Sequence, residues 1–227
     1  MFMARAVELG RPVRPLEDLI IVPKVPQSPA VYEDNHPDRI KTFPHSSRVL
    51  LDLSTGIPDL LTLRHELDHD SESVFWLLLF WVVGAQPEGK KDEPVNAPIW
   101  CGLMGSAEIR VGLLRGSLNR ATHSAYQPLR PLLIDLAAIL NVDRHLLPPS
   151  NPRNHPGYIN EAFQRLLLRF ILDHRGQEFM DLKARSFSRR LDRIPGISYT
   201  PSMPTTYRGP KRLLSSYFFP GSKRARQ

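Results

Sequence analysis

The sequence predicts one mainly α-helical domain without a β-sheet, followed by a basic tail. Residues 74–83 are ten consecutive apolar residues, which is typical of a deeply buried helix. Residues 126–142 and 159–172 repeat apolar residues at intervals of three and four, the period of a helix with one buried face. At 227 residues, the chain is long enough for one domain with a sizeable core and tails.

Residues 9–47 are predicted to form a long irregular surface loop. Each proline in this range lacks a backbone N–H and pushes its predecessor towards extended geometry. The prolines are Pro12, Pro15, Pro23, Pro26, Pro29, Pro37 and Pro44. Residues 19–22 are a short apolar run expected to pack, and residues 47–53 fit either a short helix or a strand. Residues 57–67 are expected to lead into the next helix.

The central helix is predicted over about residues 70–83. The polar residues at its start can accept hydrogen bonds from unpaired backbone N–H groups and suit the positive end of the helix dipole. They are Asp68, Asp70, Ser71 and Glu72. The segment behind them is apolar on every face, so we expect it to be buried on all sides. Its length is about half of that needed to cross a bilayer.

The helices that follow are predicted from the same periodicity. Residues 84–98 are rich in glycine, proline and charge, which indicates a loop, and residues 99–118 are expected to form one or two short helices. A proline-rich loop at residues 148–156 separates the two amphipathic helices. We interpret Trp76, Trp81 and Trp100 as core residues. Cys101 has no basic neighbour to activate it and is interpreted as a buried structural thiol.

The positive charge of the chain lies at its C terminus. The formal net charge is +7, yet residues 1–174 hold eighteen Lys or Arg against twenty acidic residues, and residues 175–227 hold twelve against three. Residues 1–176 are therefore predicted to be the compact part and residues 177–227 a basic, mostly disordered tail. Lys223, Arg224 and Arg226 resemble a nuclear import signal, and simple solvation of a charged end is the alternative.

One short motif is typical of metal chemistry. His65, Glu66 and His69 form a literal H-E-x-x-H. On a helix, histidines four residues apart can bind zinc while the glutamate acts as a general base. Three features favour a capping and packing role for these residues instead. Asp68 places a charge inside the motif, no sequence that would supply a third zinc ligand follows it, and the motif lies before the predicted helix. A zinc-dependent hydrolase is therefore the alternative function.

Residues 69–81 (HDSESVFWLLLFW) resemble the central helix of the large lobe in fungal-type protein kinases. In eukaryotic kinases, the aspartate that opens this helix accepts backbone N–H bonds from the catalytic loop, and Asp70 occupies its position. Residues 2–8 (FMARAVE) are similar to the A-P-E end of the kinase activation segment, with Glu8 in the place of the glutamate. The helices between residues 98 and 174 match more loosely, so the resemblance spans most of residues 1–174.

The resemblance implies ATP and magnesium only for a full-length member of that family. The sequence contains no G-x-G-x-x-G loop, V-A-I-K lysine, H-R-D loop or D-F-G. Because phosphoryl transfer depends on groups that position phosphates and metal ions, this chain alone is predicted to be non-catalytic and without a cofactor. Two explanations stay open for Met1: an internal methionine of a truncated gene model, or the start of a remnant that survives as a binding module.

The resemblance also implies that Glu8 pairs with an arginine between the last two large helices. The candidates are Arg144 and Arg153, and a solvated surface glutamate is the alternative.

The predicted function is therefore protein binding by a catalytically incomplete, pseudokinase-like lobe. Its outer faces could bind a partner, as could the apolar surface where a small lobe and a catalytic loop would lie. We expect no small-molecule substrate and no membrane, and nucleic acid only non-specifically through the tail. A lone Cys101 and an N terminus without an apolar signal sequence favour an intracellular location, cytoplasmic or nuclear.

Overall fold

The protein is mainly α-helical, as the sequence predicts. The computed structural model describes residues 4–9, 19–46, 49–52, 67–115, 118–142, 147 and 151–185. These residues contain two short strands, β1 (Leu19–Val22) and β2 (Val49–Asp52). The helices are α1 (Arg5–Leu9), α2 (Ala30–Asn35), α3 (Pro37–Thr42), α4 (Leu67–Gly84), α5 (Ala97–Leu103), α6 (Ala107–Arg115), α7 (Leu129–Leu140) and α8 (Tyr158–Asp173).

Strands β1 and β2 form a two-stranded antiparallel sheet, in which Leu19 lies opposite Asp52 and Val22 opposite Val49. We expected no sheet, and these strands correct that prediction. A four-residue apolar run cannot be assigned to a strand or a helix by its periodicity. Whether β1 forms a strand depends on its pairing with β2, which lies about thirty residues later in the chain.

The proline-rich region is more ordered than the sequence analysis predicted. Helices α2 and α3 lie within it, and proline stands at the start of each: Pro29 is the N-cap of α2, and Pro37 is the first residue of α3. Proline suits the first turn of a helix, where its missing N–H would have no intrahelical partner. The prediction of one irregular loop over residues 9–47 was therefore wrong for α2 and α3.

Helix α4 is the hub of the described structure. It begins at Leu67, three residues earlier than predicted, and contacts α1, α5, α7 and α8. Phe75, Trp76 and Leu79 on its inner side have no exposed surface. Helices α7 and α8 pack against each other and against α4, as their amphipathic patterns predict. In the part of the chain that the structure describes, no helix has the length and apolar character needed to span a membrane.

The orientation of helix α5 contradicts the prediction that Cys101 is buried. Trp100 and Leu103 are buried in the core, as expected for an inward-facing side of a helix. Cys101, however, lies on the outer side and is exposed. The prediction of a buried thiol was wrong because one residue along a helix changes the direction of a side chain by about 100°.

The compact part extends beyond the predicted boundary at residue 176. Gly176 adopts a positive φ of 78°, which is unstrained only for glycine. After this turn Phe179 is buried, with its ring 6.0 Å from that of Phe170. The chain then pairs with the loop after α4, because Arg185 N donates to the Gln86 carbonyl at 2.8 Å. Residues 177–185 therefore belong to the folded domain and not to the tail.

Candidate functional site

One side of the central helix α4 is apolar and exposed. Val74 is 53% exposed, Leu77 60% and Trp81 37%, and Leu67 at the start of the helix is 49% exposed. Asp70, which is also exposed, lies in line with them. The five residues Leu67, Asp70, Val74, Leu77 and Trp81 are called the α4 stripe. The prediction that α4 is buried on all sides was therefore wrong, as was the assignment of Trp81 wholly to the core.

The α4 stripe has the geometry of a helix–helix seam. Its residues follow one another at intervals of three, four, three and four, so they lie on one side of the helix. The stripe is about 21 Å long at 1.5 Å per residue. At its C-terminal end the Trp81 ring lies 5.5 Å from the ring of Tyr126. This surface is long enough to receive about four turns of a partner helix.

The opposite side of α4 carries a buried ion pair that holds the helix in place. Oε1 of Glu72 accepts hydrogen bonds from the backbone N–H of Arg5 at 3.0 Å, from Arg5 Nε at 2.6 Å and from Trp76 Nε1 at 2.9 Å. Arg5 Nη2 also donates to the carbonyl of Leu140 at 2.8 Å. Both partners of the ion pair are buried. Glu72 thus fastens α1 to α4, and Arg5 continues the connection to α7.

A second pair connects α1 to α6. Glu8 forms an ion pair with Arg110, and its Oε1 accepts a hydrogen bond from the backbone N–H of Ala107 at 3.0 Å. Ala107 is the first residue of α6, where backbone N–H groups lack intrahelical acceptors. The guanidinium groups of Arg5 and Arg110 lie 5.9 Å and 5.5 Å from the centre of the Trp76 ring. Both are within range of a cation–π interaction with that ring.

The observed partner of Glu8 was not predicted. Arg144 lies outside the described residues, and Arg153 donates from Nη2 to Ser46 Oγ at 3.1 Å. Arg110 lies in a helix that the family pattern did not single out. The Arg5–Glu72 pair was also missed, because the sequence carries no signal that joins residues 67 positions apart. The acidic start of α4 predicts a set of helix caps, but Glu72 faces the core instead.

The other residues singled out in the sequence are only partly described. Asp68 is buried and its Oδ1 accepts the N–H of His69 at 3.1 Å, while Asp70 faces outwards. His69 is buried, but His65 and Glu66 lie outside the described residues, so the zinc motif stays a prediction. Among the described residues, no three His, Cys, Asp or Glu side chains are grouped so as to hold a metal ion.

A buried tyrosine at the start of α8 has an unusual environment. The hydroxyl of Tyr158 is buried and has no hydrogen-bond partner among the residues that the structure describes. Burial raises the pKa of Tyr158 to about 12, and burial also lowers the pKa of nearby Arg153. Tyr32 provides a contrast, because its hydroxyl donates to Glu161 Oε2 at 2.8 Å. The charged neighbours of Tyr158 among the described residues are Arg153 and Arg165, so we interpret Tyr158 as a structural residue.

Comparison with protein-family models, with curated proteins and with solved structures found no match for this chain. Of the surfaces described here, the α4 stripe is the one whose chemistry indicates binding, since it exposes large apolar side chains in a continuous row on the central helix.

Proposed function

We propose that this protein binds another polypeptide through the α4 stripe, and that it is a catalytically incomplete lobe related to the large lobe of fungal-type protein kinases. The observation that supports binding is the exposure of Val74, Leu77 and Trp81 on a helix whose other side is the core of the domain. Contiguous exposed apolar side chains are uncommon on monomeric proteins and mark sites of interaction. No phosphoryl transfer is proposed for this chain.

The position of Asp70 supports the relation to kinases. The resemblance over residues 69–81 implies that this aspartate faces the catalytic loop of a kinase. In this protein Asp70 is exposed and lies in line with Val74 and Leu77. The same side of the helix would therefore face the catalytic elements in a complete kinase. Because the chain contains none of the four motifs that position ATP and magnesium, an apolar surface on that side is available for another partner.

The spacing of the stripe indicates the kind of partner. Intervals of three and four match the apolar side of an amphipathic helix, which packs along such a seam by inserting its side chains between those of the stripe. Trp81 would supply the largest single contribution, because tryptophan is one of the residues that dominate the binding energy of protein interfaces. Asp70 favours a partner with a basic residue near one end of the helix.

Photo-crosslinking tests this proposal directly. A benzophenone side chain is placed at position 77 of the full chain, and at position 109 in a matched control. Ile109 is similarly exposed, at 55%, but lies on α6. In an extract of the producing cells, we expect adducts with protein from position 77 that Val74→Glu suppresses. Equal yields from positions 77 and 109, or adducts that Val74→Glu leaves unchanged, would contradict the proposal.

The remaining predictions on function are not supported by a specific observation. The zinc-dependent hydrolase depends on His65 and Glu66, and the import signal depends on Lys223, Arg224 and Arg226; all five lie outside the described residues. An intracellular location likewise stays a prediction from composition.

A further inference from the structure

We propose that the partner helix of the α4 stripe is α4 of a second copy of this chain, and that the two helices pack antiparallel in a weak symmetric dimer. This inference rests on the proposed function of the stripe and names its partner. The observation that supports it is the order of residues along the stripe, which places a carboxylate near one end and an indole at the other.

The helical surface that such a partner needs is present on this chain. The stripe calls for a helix with exposed apolar residues at intervals of three and four. Among the residues whose exposure the structure describes, α4 carries four exposed large hydrophobic side chains, and every other helix carries at most two. The two on α8, Ile171 and Leu172, are neighbours in sequence, so they point about 100° apart. Of the described helices, α4 is therefore the one that matches a second α4 stripe.

One antiparallel alignment brings complementary residues of the two copies together. It places Val74 of each copy against Leu77 of the other, so that apolar side chains meet at the centre of the seam. Asp70 lies four residues before Val74. Trp81 lies four residues after Leu77. The same alignment therefore places Asp70 of each copy against Trp81 of the other, once at each end.

The indole of Trp81 can donate a hydrogen bond to this aspartate. Its ring lies 5.5 Å from that of Tyr126, but its N–H has no hydrogen-bond partner among the described residues. An indole N–H only donates, whereas a carboxylate can accept several hydrogen bonds through its two oxygens. Asp70 of the second copy can therefore accept this bond and keep its local interactions. A hydrogen bond to a charged acceptor is stronger than one between neutral groups.

The antiparallel orientation also keeps like charges apart. Asp70 is the single charged residue of the stripe. In the alignment above, the two Asp70 residues lie eleven positions apart along the seam, or about 16 Å at 1.5 Å per residue. This distance exceeds the Debye length of about 10 Å at 0.1 M salt, so their repulsion is largely screened. A parallel orientation would bring the two carboxylates together.

An exposed lysine lies near the end of α4 that would receive Asp70. The carbonyl of Lys91 accepts a hydrogen bond from Gln86 Nε2 at 3.0 Å, and Gln86 lies two residues after the end of α4. The side chain of Lys91 is exposed. The second copy therefore offers a basic residue near the C-terminal end of its helix, which favours the approach of Asp70.

The expected dimer is weak. One helix from each copy offers fewer residues than the roughly 20–30 per partner of a standard protein–protein interface. We therefore expect a dissociation constant above about 1 μM, so that the chain is mainly monomeric in dilute solution. Two-fold symmetry partly offsets the small size, because each favourable contact between Asp70 and Trp81 is made twice.

Sedimentation of the full chain tests the dimer by complementation. Val74→Lys and Leu77→Glu each set a charge against an apolar residue of the second copy, so either variant alone should dimerise at least about tenfold more weakly than the unaltered chain. When the two variants are mixed, the antiparallel alignment sets the opposite charges against each other, and association should recover. In a parallel alignment the introduced charges would each meet an unaltered residue, and no recovery would follow.

The matched control is Ile109→Glu. Val74, Leu77 and Ile109 are similarly exposed, at 53%, 60% and 55%, so none of the three substitutions disturbs the core. Ile109 lies on α6 and outside the stripe. We expect Ile109→Glu to dimerise as the unaltered chain does.

Three results would overturn the inference. A full chain that stays monomeric up to about 1 mM would show that the dimer does not form. A dimer weakened as much by Ile109→Glu as by Leu77→Glu would use another surface. A mixture of Val74→Lys and Leu77→Glu that associates no better than either variant alone would exclude the antiparallel alignment.

Failure of the dimer is distinguishable from failure of the proposed function. With a benzophenone at position 77, the dimer predicts an adduct of twice the mass of the chain. Adducts with a different protein, suppressed by Val74→Glu, together with a monomeric chain would overturn the dimer and leave binding by the stripe intact. A complete absence of adducts would remove both.

Discussion

The substitution Glu72→Ala tests whether the buried ion pair holds the domain together. The Glu72 carboxylate accepts three hydrogen bonds through Oε1, two from Arg5 and one from Trp76. Arg5 is only 4% exposed, so the substitution leaves its guanidinium buried without the carboxylate. Removing one member of a buried ion pair costs about 3–5 kcal/mol. That loss is a large fraction of the roughly 5–15 kcal/mol by which a domain is stable.

Urea unfolding, followed by tryptophan fluorescence, measures this loss. Trp76 is a suitable probe because its indole N–H contacts Glu72 directly. Glu72→Gln serves as a milder variant: it keeps an oxygen that can accept hydrogen bonds but removes the charge, so we expect a smaller loss than that of Glu72→Ala. It remains informative if Glu72→Ala is too unstable to give a folded baseline.

The matched control is Asp92→Ala. Asp92 pairs with Arg185 at 3.0 Å, but both side chains are about half exposed, so this pair contributes less than about 1 kcal/mol. If Glu72→Ala lost no more stability than Asp92→Ala, with an unchanged dependence on urea, the reasoning about the buried pair would be refuted.

Four further predictions follow from the core and the surface. Tyr158→Phe removes a buried hydroxyl without a hydrogen-bond partner in the described part of the chain, so it should lower stability at pH 7 by less than about 1 kcal/mol or increase it. Tyr32→Phe breaks the hydrogen bond to Glu161 and should cost about 1–2 kcal/mol, and equal losses would contradict this contrast. Burial raises the pKa of Tyr158 to about 12, so the tyrosine of the unfolded chain loses its proton at a lower pH than that of the folded chain. The free energy of unfolding should therefore fall as pH rises from about 10 to 12. Unfolding curves at alkaline pH should show a smaller fall for Tyr158→Phe. The exposed thiol of Cys101 should react with a disulfide reagent in the native protein as fast as in urea, and a reaction only after unfolding would show that it is buried. Leu79→Ala should lower the free energy of unfolding by about 2–5 kcal/mol because Leu79 has no exposed surface. Leu77→Ala should lower it by less than about 1 kcal/mol. If calorimetry showed a larger loss for Leu77→Ala than for Leu79→Ala, the orientation of α4 would be contradicted.

The helices with strong local signals were predictable from the sequence. Helix α8 was expected at residues 159–172 and is observed at Tyr158–Asp173, because its apolar residues recur at the helical period. Helices α2 and α3 were missed for the opposite reason. Proline was treated as a residue that prevents helices, yet Pro29 and Pro37 stand at helix starts, where proline is favoured.

The contacts that build the site were not predictable from the sequence. The apolar run in α4 looks the same on every side, so the sequence does not tell which side its neighbours cover. That choice is made by α1, α5, α7 and α8, which pack around one side and leave Val74 and Leu77 exposed. Glu72 could be recognised as acidic but not as the partner of Arg5, since long-range pairing has no local pattern.

The yield of photo-crosslinked protein from position 77, relative to position 109, tests the central claim most directly. We predict that the full chain forms adducts with protein mainly from position 77, and that Val74→Glu abolishes this preference while Ile109→Glu does not. Both exposed apolar sites are available to solvent, so a difference between them reports a specific surface. Indistinguishable yields from the two positions would contradict the assignment of the α4 stripe as a protein-binding surface.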